Sequence, residues 1–148
     1  QARTIARMVD FISVGSNDLT QYLLAVDRNN SRVAALYDSF HPAVLAAMQH
    51  VVDAAQAENC PVSVCGEMAG NPAGAILLMA MGYDMLSMNA TNLPRVKSVI
   101  RSVDMAFAKS VLAEVMTLDS PMVVSSTVQL ALNKQGQGHL LGPAAGKH

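Results

Sequence analysis

The sequence is short of charge. Only 14% of its 148 residues are Asp, Glu, Lys or Arg, against about 25% in an ordinary soluble domain. Acid and base nearly cancel, to a formal charge of −1, which removes nucleic acid and anionic membrane surfaces from the expected partners. Cysteine is scarce too. Cys60 and Cys65 form no CxxC pair and build no disulfide framework, which points to a reducing cytosolic compartment. No apolar run reaches the roughly 18 to 20 residues that span a bilayer; the longest, Ala73 to Met88, is broken by Gly82 and Asp84. No signal peptide opens the chain, and it starts at Gln1 rather than Met, so the expectation is a piece of a longer cytoplasmic protein.

What is present is apolar: 51% of residues are hydrophobic and ten are Met. So little charge beside so much apolar surface predicts faces that partners or further chain would cover.

Hydrophobic patterning predicts an α/β order. Val9 to Val14 is short, apolar and β-branched, as a buried strand requires. Gly15 ends it, the polar triplet Ser16-Asn17-Asp18 follows, and Leu19 to Val26 returns to helical spacing. Pro61 to Cys65 and Met85 to Met88 read as two further strands. Helices are expected to open at His41-Pro42 and Asn71-Pro72, where proline at the first position loses nothing. Others open at Thr91 to Pro94, after Asp104, and at Ser120-Pro121, the last reaching about Leu132. Residues 1–132 read as one unit and residues 133–148 as a tail. Strands alternating with helices imply a parallel sheet, open or part of a barrel.

The strand running into Gly-Ser-Asn-Asp sets an amide and a carboxylate at the carboxyl edge of the sheet, where parallel α/β proteins bind ligands. From spacing alone a helix cap is the favoured reading of the triplet. Arg28 alone reads as a solvated arginine beside Asp27, and Cys65 as a small buried core residue. Glu67 either orients a site or caps the turn after it.

Two blocks weight these alternatives. GSNDLTQYLLAVDRNN, from Gly15 to Asn30, resembles a signature of the phosphoenolpyruvate (PEP)-utilising enzymes. Val62-Ser63-Val64-Cys65-Gly66-Glu67-Met68-Ala69-Gly70 resembles the other signature of that family. Within the family the chain is most similar to the enzyme I group of the bacterial phosphotransferase system, in its nitrogen-branch form. Pyruvate phosphate dikinase and PEP synthase share the shorter motifs, but Leu24 to Asn30 favours enzyme I. The resemblance implies the last three strand-helix units of a (β/α)8 TIM barrel, present as an incomplete fragment with exposed edges.

The resemblance also implies a chemistry: transfer of the PEP phosphoryl group to an enzyme histidine and then to a histidine phosphocarrier protein, with pyruvate released. Asn17, Asp18 and Arg28 take the substrate-binding positions, Asp18 also that of a Mg²⁺ ligand, and Cys65 that of the proton donor. The residue types suit these tasks. Mg²⁺ takes oxygen ligands and usually only one or two carboxylates. Guanidinium matches phosphate. A thiol with an ordinary pKa near ~8.5 is mostly protonated at neutral pH and can serve the enolate as an acid. None of His41, His50, His139 or His148 fits the phosphorylated histidine, and the second metal carboxylate and two further arginines of the family have no counterpart in the chain. A fragment holding half a site should be inactive alone. The family forms homodimers, so a non-catalytic dimerisation module is the competing reading.

Overall fold

The computed structural model describes residues 1–140. Three strands form one parallel sheet in the order β1 (Ile12–Gly15), β2 (Val62–Cys65), β3 (Met85–Ser87). The register sets Val14 beside Val64 and Val64 beside Leu86; one step on, Gly15, Cys65 and Ser87 stand side by side at the carboxyl edge.

Helix α1 (Ala2–Ala6) precedes the sheet; α2 (Ser16–Leu24) and α3 (Pro42–Gln56) connect β1 to β2. The second connection holds the single turn α4 (Glu67–Gly70) and α5 (Pro72–Met81). Beyond β3 come α6 (Leu93–Ser102), α7 (Met105–Val115) and α8 (Pro121–Lys134).

Helix starts follow local chemistry. His41 Nδ1 accepts the Ala43 N–H, Asn71 Oδ1 accepts the N–H groups of Ala73 and Gly74, and Asp104 Oδ1 accepts that of Phe107. Each satisfies donors that a helix leaves open at its first turn. Pro42, Pro72 and Pro121 each stand at the first helical position.

Helices cover one face of the sheet. Val14, Val62 and Val64 join a single core with Val44, Leu45, Met48 and Val52 of α3 and with Ile76, Leu77 and Leu78 of α5. α5 is apolar all round because α6 and α7 pack on the sides that the sheet leaves free. On the opposite face Phe11, Ser13, Cys65, Met85 and Ser87 are exposed. That face carries one row through Ser13, Ser63 and Met85 and another through Gly15, Cys65 and Ser87.

The amino edge is tied separately. Asp84 Oδ2 accepts the Val62 N–H at 2.8 Å while the Asp84 N–H donates to Val62 O at 2.9 Å. Arg3 of α1 and Arg7 directly after it both pair with Glu58, just beyond α3.

Several boundaries differ from expectation. β1 begins at Ile12, where the Ile12 N–H first donates to Pro61 O; Val9 to Phe11 lie outside the ladder, and all three are exposed. α2 starts at Ser16, directly from the strand, and stops at Leu24 because Ala25 turns left-handed (φ 54°). α8 runs two residues past Leu132, and residues 138–140 form a 3₁₀ turn within the expected tail, of which residues 141–148, His148 included, lie outside the described residues.

Candidate functional site

The site assembles where β1 and β2 end side by side. Because β1 passes into α2 without a loop, Asn17 and Asp18 fall in the first turn of that helix. Neither caps it: the cap position is Gly15, and no side chain accepts a hydrogen bond there. Asn17 reaches sideways instead. Its Oδ1 accepts the Glu67 N–H and the Tyr37 hydroxyl, both at 3.2 Å. The Glu67 N–H can only donate, so it fixes Oδ1 on that side and leaves Nδ2–H₂ as the group available to an anion.

Gly66 lets the two strand ends approach. Its φ is +118°, and a Cβ there would overlap Ser16 Oγ and lie 3.0 Å from Asn17 Oδ1. Ser16 is fully buried and its hydroxyl donates to Cys65 O at 2.9 Å, while Thr20 Oγ1 donates to Ser16 O at 2.8 Å. α2 is thereby pinned to the end of β2.

Cys65 and Cys60 have opposite fates. Cys65 alternates out of the core after Val64 and is exposed. Cys60 is buried, its thiol near the carbonyls of Val9 and Pro61. The core reading therefore holds for Cys60 and not for Cys65.

Arg28 pairs with Glu67 at 2.8 Å rather than with Asp27, whose carboxylate accepts the Asn29 N–H. The Glu67 carboxylate caps nothing; Glu67 opens α4 and points its charge at Arg28. Asp18 is exposed and accepts no hydrogen bond among the described residues. Its oxygens are thus free for a cation. Among the described residues no three His, Cys, Asp or Glu cluster as a complete metal cage. Asp18 therefore fits Mg²⁺ as a single protein carboxylate, with substrate, water or other chain completing the set.

An open recess of about 420 Å³ lies at this edge, lined among others by Asn17, Cys65, Glu67, Ser87, Asn89 and Asn92. The volume suits a small polar anion. Tyr37, half-buried beside it, escaped the sequence reading. Burial first, and the Glu67 charge second, push its phenol above the ordinary value, with Arg28 opposing. Ser87 was likewise missed, although its place at the end of an apolar strand was a usable signal.

Comparison with known proteins gives a consistent picture. The family model described as PEP-utilising enzyme, PEP-binding domain matches residues 1–105. The chain is 42% identical over 137 residues to a protein of Salmonella typhimurium named phosphoenolpyruvate-dependent phosphotransferase system, covering 93% of this chain and 18% of that protein. It is 48% identical over 108 residues to the phosphoenolpyruvate-protein phosphotransferase of Haemophilus influenzae, covering 73% and 19%. With the protein of that same name from Haloferax volcanii the identity is 43% over 129 residues, covering 87% and 23%. The chain thus spans about a fifth of the length of these relatives.

Proposed function

Since the chain belongs to the PEP-utilising enzyme family through its PEP-binding domain, we propose that it is a segment of a phosphoenolpyruvate–protein phosphotransferase, of nitrogen-branch type. The whole protein transfers the PEP phosphoryl group to a histidine outside this segment and on to a phosphocarrier protein. One observation carries the reading: the register that sets Gly15, Cys65 and Ser87 on one edge, with Asn17 bridging to Glu67. An amide and a thiol then line one anion-sized recess, with the Arg28 guanidinium paired to its lining residue Glu67 and the free Asp18 carboxylate next in the chain to Asn17.

In this reading the Asn17 amide donates to a phosphate or carboxylate oxygen, and Arg28 swings from Glu67 to the phosphate as a permanently charged fork. Asp18 holds Mg²⁺, which when bound neutralises phosphoryl charge. When the bond from phosphorus to the enol oxygen breaks, the electron pair stays with the enolate. Cys65 Sγ–H gives its proton to C3, pyruvate forms, and water reprotonates the thiolate.

A sheet wound with helices on one face only supports placement in a (β/α)8 barrel, with the open face turned to the interior. The exposed Met122 and Leu130 of α8 support homodimer contact through this domain. No helix among the described residues is long and apolar enough to cross a membrane. The test uses the longer protein that carries this chain. In Cys65→Ala, exchange of pyruvate methyl protons with solvent should fall at least about 100-fold, while phosphoryl transfer suffers less. Unchanged exchange would remove Cys65 from the role.

A further inference from the structure

We propose that Tyr37 is a positioning residue for the anion site: its hydroxyl holds the Asn17 side chain in the place where its amide NH₂ faces the recess. The inference rests on the reading that Asn17 binds PEP. An Asn side chain has two nearly isosteric orientations, which exchange an acceptor oxygen for a donor NH₂. Only one orientation presents N–H to an anion. The Glu67 N–H, an obligate donor 3.2 Å from Oδ1, sets that orientation, and the Tyr37 hydroxyl, also 3.2 Å from Oδ1, holds the side chain there. A flipped amide would turn its own N–H groups against the Glu67 N–H, which can only donate, whereas the Tyr37 hydroxyl would then have to reverse from donor to acceptor.

The two donors are not equivalent. The Glu67 N–H belongs to the backbone of the turn through Gly66 and accompanies that turn wherever it goes. Tyr37 comes from a separate stretch, just after the 3₁₀ turn Ala34–Leu36 and 20 residues from Asn17. It is half-buried, and the Asp18, Arg28 and Glu67 charges all act on it. Its phenol stays protonated, because burial and Glu67 both favour the neutral form. A neutral hydroxyl held from outside the recess can restrain the Asn17 side chain without touching the ligand.

The experiment is a double-mutant cycle in the longer protein carrying this chain, with Tyr37→Phe, Asn17→Ala and the pair, read as kcat and KM for PEP. Tyr37→Phe removes one hydroxyl and should raise KM by about three- to tenfold, the range of a single net hydrogen bond, with kcat within about twofold. In the Asn17→Ala background the same change should alter KM by less than about 1.5-fold, because no amide remains to orient. An equal effect in both backgrounds would make Tyr37 a structural residue, and an unchanged KM would end the proposal. Asn17→Asp is the companion variant: its carboxylate accepts the same two bonds but lacks the NH₂, so KM should rise with Tm unchanged, and a wild-type KM there would also overturn the inference. If Asn17→Ala itself has a wild-type KM, the substrate reading of Asn17 fails. If only the Tyr37 effect is missing, that reading survives.

Discussion

Replacing Gly66 by Ala should destabilise the chain by about 2 to 6 kcal/mol, for two separable reasons. Backbone strain is the first. Gly66 has φ +118° and ψ −171°, a conformation that costs an L side chain about 1 to 3 kcal/mol. Overlap is the second. The new methyl would meet Ser16 Oγ, and relief requires that hydroxyl to leave Cys65 O. Ser16 is fully buried, so its unpaired hydroxyl adds about 1 to 3 kcal/mol. Gly136 is the internal control, with φ +76° and nothing within 4 Å of a Cβ. Gly136→Ala therefore carries backbone strain alone, about 1 to 2 kcal/mol. Urea unfolding of the purified chain, followed by far-UV circular dichroism, measures both variants by the shift in midpoint at constant slope. A Gly66→Ala loss no larger than that of Gly136→Ala would refute the claim that β1 and β2 converge tightly at their carboxyl ends.

The two thiols should separate in a labelling experiment: one equivalent of an aromatic disulfide reagent reacts at once with exposed Cys65, and Cys60 only after denaturation. Equal rates would contradict the alternation along β2. A second test concerns pH. Hydrogen bonds from Arg7 first and Arg3 second hold the Glu58 carboxyl at about 2, against an ordinary 4.5. A depressed carboxyl stabilises the fold above its unfolded pKa and loses that effect as pH falls through the folded one. The Tm advantage of wild type over Glu58→Gln should therefore be full above pH 4.5 and gone near pH 2. It should be modest, because both arginines are largely exposed. A difference constant across that window would exclude the pairing.

Elements announced by local chemistry were legible in the sequence. His41-Pro42, Asn71-Pro72 and Asp104 carry their own capping groups, and the helices start there. Strands β2 and β3 are short apolar runs bounded by breakers, and they pair as the alternating order requires. α4 was invisible because four residues carry no periodicity. Val9 to Phe11 looked like strand by composition, yet no ladder partner reaches them before Ile12. At the site, residue types were readable and partners were not. Arg28 pairs across 39 positions with Glu67, and Tyr37 across 20 with Asn17. Such bonds depend on how the carboxyl ends of two strands meet, which spacing along one chain does not encode.

The ties of Asp84 to Val62, and of Arg3 and Arg7 to Glu58, lie at the end of the sheet away from Cys65. Anchorage and reactivity thus occupy opposite poles of the same three strands. Substitutions that reinforce the anchoring pole are free to accumulate without disturbing the reactive one. The loops at the reactive pole are correspondingly open to diversification, so directed evolution toward other small anions has most room at Asn89 and Asn92, which line the recess without lying in either signature block.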